Sequence, residues 1–294
     1  MPVPILSKSY QILTHLFASL KRNKLIANAS IYVIGTMLQK ALSFLLIPLY
    51  TRYLSPADYG IVGLASSVSG MLGMLVGLGV YGAIARYYYE YRDAPDRLKS
   101  YLTSNYIFLI VFVVAVSWTL DRTGEAVWLT FTSGQVAFDP AVRLMIWPTC
   151  IHVLIQIPII LYQTAQRPIA FVLANLGIFL TSIVTIVYFV VYRRMGAEGQ
   201  MLGDITANGL AAVVLIALMM KEQFSPHINW HYIQVSLKYS LPLIPHMLAG
   251  WAMNAVDRIL LESGVSLDEL GIYNLAYQLG MVMSVLVYSV NQAW

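Results

Sequence analysis

A lysine, two arginines, two histidines and an aspartate stand inside or at the ends of long apolar runs, and their types set the chemistry open to this chain. Lys40, beside Gln39, lies deep in the first run. At mid-bilayer a lysine costs roughly 2.5–3.5 kcal/mol, so Lys40 is expected to face a wet or protein-lined interior, where its ammonium meets phosphate or carboxylate on a passing substrate, or else to snorkel to an interface. Arg52 and Arg258 each precede a turn. They can bind phosphate, or cap a helix dipole and pair with Asp58 or Asp257. His152 and Gln156 stand one helical turn apart, and His246 and Asn254 two turns, which puts each pair on one face. Each is a candidate cavity wall, a proton relay or hydrogen-bonded structure. Asp204, with Asn208 four residues on, is the candidate for an ion-coupling site.

The elements that must position these groups are membrane helices. With 59% hydrophobic residues, 11% charged residues and a mean hydropathy of +0.68, the chain has too much apolar surface for a water-soluble globule. The net charge of +4 is spread in short clusters between apolar runs, so topology accounts for it and nucleic acid does not. The single Cys150 excludes a disulfide framework. No His pair has metal-ligand spacing with a carboxylate, and no nucleophile elbow or Walker-type loop occurs, so neither metal nor cofactor is expected and the chain reads as a non-enzyme. Gly77 to Gly82 spells GLGVYG, but these glycines end a membrane helix, and Gly70, Gly73 and Gly77 form a face that another helix can approach.

Eight spans are expected, near residues 25–50, 57–85, 101–120, 142–165, 168–192, 200–220, 237–261 and 268–294. The fold class is all-α, a polytopic helix bundle. Residues 1–24 read as an amphipathic cytoplasmic segment. The loops on its side hold most of the Lys and Arg, which puts the N-terminus in the cytoplasm. The longest outer loop is expected from Asp121 to Pro140. Tyr87, Tyr88, Tyr89 and Tyr91 suit a membrane interface, and Pro48, Pro148, Pro158, Pro242 and Pro245 kink their helices.

Ile47 to Ile61, IPLYTRYLSPADYGI, has a looser echo near the C-terminus. There Asp257-Arg258-Ile259-Leu260 precedes Glu269-Leu270-Gly271-Ile272 much as Arg52-Tyr53-Leu54 precedes Asp58-Tyr59-Gly60-Ile61, with unequal spacing. These runs, with the R-YYY-E-Y loop and the segment YSLPLIPHMLAGWAMNAVDRILLESGVSLDELGIYNLAYQL, resemble the polysaccharide biosynthesis proteins of the multidrug, oligosaccharidyl-lipid and polysaccharide exporter superfamily. The resemblance covers about residues 25–294. It implies two six-helix lobes about a cationic cavity, and flipping of an isoprenoid-diphosphate-linked oligosaccharide across a bacterial inner membrane by alternating access. Membrane lipids, a polysaccharide polymerase and glycosyltransferases are the implied partners.

On this reading residues 25–222 form the first lobe, and 236–294 are the first two helices of an incomplete second lobe, an N-terminal portion of a longer protein. Lys40 maps to the first cavity helix and Arg52 to the first outer turn. His246, Asn254 and Arg258 map to the first helix of lobe two. The rival readings are a cation-coupled small-molecule exporter, for which Asp204 is the acidic candidate, a membrane-embedded glycan polymerase or ligase, and a non-functional fragment.

Overall fold

Helix starts in this chain are set by proline and serine. The computed structural model describes residues 31, 35, 37, 38, 44, 46–132 and 134–293, apart from the side chains of 131 and 282–293. Ten α-helices are described: α1 Ile47–Tyr53, α2 Pro56–Gly77, α3 Val80–Tyr91, α4 Pro95–Phe131, α5 Arg143–Thr164, α6 Pro168–Val187, α7 Gly196–Gln223, α8 Trp230–Ser240, α9 Ile244–Glu262 and α10 Leu267–Ala293. Wider π turns at Phe138–Val142 and Tyr188–Tyr192 lead into α5 and extend α6. Among the described residues five helices are long and apolar enough to cross a membrane, built on α2, α4, α5, α6 and α7.

Pro56, Pro95 and Pro168 each occupy a first helical turn, where a missing N–H costs nothing. Ser55 and Asp58 form a reciprocal capping box on α2: the Asp58 N–H donates to Ser55 Oγ at 3.1 Å, and the Ser55 N–H donates to Asp58 Oδ2 at 2.9 Å. Asp58 also accepts from the Ala197 N–H at 2.9 Å, which ties the starts of α2 and α7 together.

Inside α5, Pro148 and Pro158 each remove an amide donor. Pro158 frees the Leu154 carbonyl, and the buried Tyr106 hydroxyl of α4 donates to it at 3.3 Å. This is how a proline kink is satisfied in a solvent that supplies no water. Close crossings use glycine: a Cβ on Gly203 of α7 would lie 2.8 Å from the Ile186 backbone of α6, and Thr185 Oγ1 donates to the Gly203 carbonyl at 2.8 Å. The outer face of α6 leaves Ile169, Leu173, Leu180 and Val184 exposed, as suits lipid contact.

Three expectations are corrected. The stretch from Asp121 is helical as far as Phe131, so the loop there is short. The helix runs through Gly124 and ends before Gly134, whose φ is +79°, and the Arg143 guanidinium grips Asp121 through two hydrogen bonds of 2.8 and 2.9 Å. At about 55 Å, α4 overshoots the roughly 30 Å hydrocarbon layer. The second span is interrupted, because Leu78 and Gly79 both take positive φ and separate α2 from α3. The seventh is interrupted at Leu241–Leu243, a 3-10 turn carrying Pro242, so Lys238 belongs to the separate α8.

The polypeptide between α7 and α8 is strapped to α4 by hydroxyls. Thr103 Oγ1 accepts from the Ser225 N–H at 3.0 Å, Ser104 Oγ accepts from the Asn229 N–H at 2.8 Å, and Ser100 Oγ donates to the His227 carbonyl at 2.7 Å. Beside the straps, Tyr87, Tyr91, Tyr101 and Tyr232 pack edge to face or tilted, and the Arg86 guanidinium lies 4.9 Å above the Tyr239 ring. Tyr87 and Tyr91 are thus partly buried packing groups that seat α8, while Tyr89 stays exposed.

Candidate functional site

A cavity of about 700 Å³ lies among α2, α5 and α7, with contributions from α4, α6 and the starts of α3 and α9. Its α2 wall is made of small residues: Ser66, Ser69, Gly70, Gly73 and Gly77. The glycines were expected to receive a helix, and they do so in part. A Cβ on Gly73 would meet the Thr149 methyl at 3.7 Å, and one on Gly77 would meet Val153 at 3.5 Å. The small side chains also leave the hollow that those residues line.

Opposite stand the polar residues of α5 and α7. The Gln156 amide donates to His152 Nε2 at 2.7 Å, so the other ring nitrogen carries the proton and points at Asn208 Oδ1, 3.5 Å away. Asn208 in turn donates to the Asp204 carbonyl at 2.8 Å. The chain runs Gln156, His152, Asn208, Asp204 and joins two helices across the cavity. Sequence spacing paired His152 with Gln156 and Asp204 with Asn208; the fold joins the two pairs into one line.

The Asp204 carboxylate lines the cavity with Gln200 and Ser182, and no Lys or Arg does so among the described residues. Where the resemblance implied a cationic cavity, the described lining is neutral and weakly acidic. Its hydroxyls, amides and imidazole can exchange hydrogen bonds with a polyhydroxylated or amine-bearing guest.

The other sequence candidates lie elsewhere. Lys40 and Gln39 fall outside the described residues. Arg52 is exposed in the last turn of α1, where its charge suits the helix C-terminus, and Asp58 is engaged by Ser55 and Ala197 instead. His246 and Asn254 are exposed on α9, and Asn254 donates back to the Gly250 carbonyl at 2.8 Å. The cavity residue of α9 is Met247, which sequence reading passed over because an apolar side chain carries no signal. Ser66, Ser69, Thr149 and Ser182 were missed for a related reason: hydroxyls that bond back to their own helix are common in membrane spans.

Arg258 is 7% exposed and fully engaged in structure. It donates to Asn274 Oδ1 at 3.2 Å and to the Asn254 carbonyl at 2.8 Å, pairs with Asp257 at 3.3 Å and lies 4.1 Å over the Tyr277 ring. Among the described residues no group of three or more His, Cys, Asp or Glu is arranged to hold a metal ion.

Comparison with known proteins gives one family. The sequence profile of the polysaccharide biosynthesis proteins matches residues 25–294. A protein of the Lsg locus of Haemophilus influenzae is 23% identical over 274 residues, covering 92% of this chain and 65% of the relative. An uncharacterised membrane protein of the same organism is 22% identical over 282 residues, covering 92% and 64%. The chain therefore spans about two-thirds or slightly less of the curated relatives it matches.

Among solved structures, an inward-facing multidrug resistance MATE family transporter of the MOP superfamily superposes with a TM-score of 0.63 at 17% identity, covering 83% of this chain and 58% of that one. An outward-facing structure described in the same words gives 0.59 at 18% identity, covering 86% and 62%. At these identities the likeness is one of fold, the two-lobe helical architecture of membrane transporters.

Proposed function

This multi-pass membrane chain belongs to the polysaccharide biosynthesis protein family, and from that premise we propose that it moves lipid-linked oligosaccharide or polysaccharide precursors across the bacterial inner membrane by alternating access. The observation that carries the proposal is the cavity lining. A hollow of about 700 Å³ walled by Ser66, Ser69, Thr149, His152, Gln156 and Asn208 offers sugar hydroxyls the donors and acceptors that hydrocarbon lacks.

On this reading residues 25–222 are one lobe, and 236–294 are the first two helices of the other. Residues 1–24 lie on the cytoplasmic surface, as the distribution of Lys and Arg favours. The diphosphate of an isoprenoid-linked substrate needs a cation; Lys40 takes that role, because the described lining supplies none. The lipid tail stays in the bilayer, and no covalent step is required. A polysaccharide polymerase and glycosyltransferases are the partners such a substrate implies.

The test is complementation of a strain lacking the gene. Lys40→Ala and Gln156→Leu, each checked for stable insertion, are expected to lower surface polysaccharide at least fivefold. Wild-type polysaccharide from both variants would remove the reading.

A second reading, a cation-coupled exporter of small molecules, is favoured by one observation: Asp204 is the only charged side chain in the described lining. It predicts proton- or sodium-driven efflux of organic cations from vesicles, abolished by Asp204→Asn. The first reading predicts no such efflux.

A further inference from the structure

Three residues of α7 at four-residue spacing, Gln200, Asp204 and Asn208, line the cavity. They form one polar stripe that rises about 12 Å along the helix. His152 and Gln156 of α5 and Ser182 of α6 line the same space.

The three side chains of the stripe are not equally engaged. Asn208 is held at both ends: its oxygen faces a His152 ring nitrogen at 3.5 Å, and its amide donates to the Asp204 carbonyl at 2.8 Å. The atom of Asp204 that closes the line from Gln156 is therefore its backbone oxygen. The carboxylate stands outside that line. Among the described residues it has no ion pair and no hydrogen bond.

This difference decides what the group can do. A backbone carbonyl hands no proton onward, so the His152 imidazole has no hydrogen-bonded route to the Asp204 carboxylate. A carboxylate at membrane depth without a partner is costly, and a cation that reaches it removes the cost. The lining adds further acceptors in the side-chain oxygens of Gln200 and Ser182. Carboxylate, amide oxygen and hydroxyl together suit an ammonium, which has three N–H donors and no acceptor. Ser66, Ser69 and Gln156 complete the wall with neutral groups of the kind that sugar hydroxyls pair with.

The same lining opposes anions. An acidic sugar brought beside Asp204 would set two like charges in a space where the described lining places no cation between them.

We propose that Asp204 selects the charge of the glycan: the saccharide this cavity accepts carries a free, protonated amino group, and saccharides bearing carboxylates are refused. Such selection presupposes the reading of the chain as a mover of lipid-linked saccharide. It also separates the substrate's two charges, giving the diphosphate to Lys40 and the sugar amine to Asp204.

The test measures binding to the full-length protein in detergent at neutral pH. Three soluble disaccharides of different charge are the probes: a glucosamine disaccharide with free amines, its N-acetylated form, and digalacturonate. The free-amine form is expected to bind at least about tenfold more tightly than the acetylated one, and digalacturonate not at all. Asp204→Asn, which keeps the shape and removes the charge, is expected to bring the first two within about twofold and to admit digalacturonate.

Equal affinity for the amine and acetylated forms in the wild-type protein, or a preference that survives Asp204→Asn, overturns the selection and leaves the transport reading in place. Tetraethylammonium bound as tightly as the amino disaccharide overturns it in favour of the small-molecule exporter. Binding of none of the three disaccharides removes the saccharide reading and the selection with it. If Asp204→Asn fails to insert, the wild-type ranking decides alone.

Discussion

The Tyr106 hydroxyl of α4 takes the place of the amide that Pro158 withholds from Leu154 in α5. The bond crosses between helices, so the carbonyl that Pro158 leaves open and the seat of α5 on α4 are one feature. Tyr106→Phe is expected to destabilise the protein by about 1 kcal/mol, the cost of an unmade buried hydrogen bond. Unfolding in mixed detergent micelles measures it. In a Pro158→Ala background the carbonyl regains its own amide, and the same substitution should cost less than half as much.

The α6–α7 crossing admits no side chain at Gly203, because the new Cβ would press on the Ile186 backbone rather than on a movable tip. Gly203→Val is expected to cost at least about 2 kcal/mol and to lower the melting temperature of detergent-solubilised protein. Gly209→Ala, one and a half turns along in open space, should be nearly silent.

Two arginines with similar partner counts should behave very differently. Arg143 is 43% exposed where it grips Asp121, and losing such a solvent-screened pair costs little, less still in high salt. Arg258 is 8% exposed by side chain, and its removal strands Asn274 and unbalances Asp257, a loss of about 3 kcal/mol. Chemical unfolding of Arg143→Met and Arg258→Met in parallel checks the order, which should hold in 0.5 M salt.

The hydroxyl straps on α4 predict a proteolytic phenotype. Thr103→Val with Ser104→Ala removes the acceptors of the Ser225 and Asn229 amides. Trypsin is then expected to cleave at Lys221 or Lys238 at least fivefold faster, read as two fragments by mass. Transmembrane packing should be unchanged by circular dichroism.

Much of this architecture is legible in the residues. Continuous apolar runs announce helices, Ser-Pro-Ala-Asp announces the start of α2, and the polar marks His152, Gln156 and Asp204 lie on the cavity wall as their spacing allowed. What sequence reading missed has physical causes. Asp121, Arg122 and Glu125 looked like loop because charges rarely ride on membrane helices, yet α4 simply continues past the bilayer. For Arg258 the sequence offered Asp257 as partner but not Asn274 and Tyr277, which come from the next helix. The repeat was aligned on its conspicuous arginines, whereas Ser55 with Asp58 and Ser266 with Glu269 cap the starts of α2 and α10 alike, and Gly60 and Gly271, at the same spacing, are the positions that touch.

The length of α4 has a mechanical consequence. Its uncharged stretch from Ser100 to Leu120 rises about 30 Å, and it is bounded by Arg97 and Lys99 at one end and by Asp121 and Arg122 at the other. The Arg122 guanidinium lies 5.2 Å over the Trp118 ring, a pairing suited to the edge of hydrocarbon. That stretch, rather than the whole helix, is in effect a ruler cut to one hydrocarbon thickness. A thinner membrane leaves this stretch too long and is met by tilting α4, and because Ser100, Thr103 and Ser104 hold the segment that leads to α8, α8 follows that tilt.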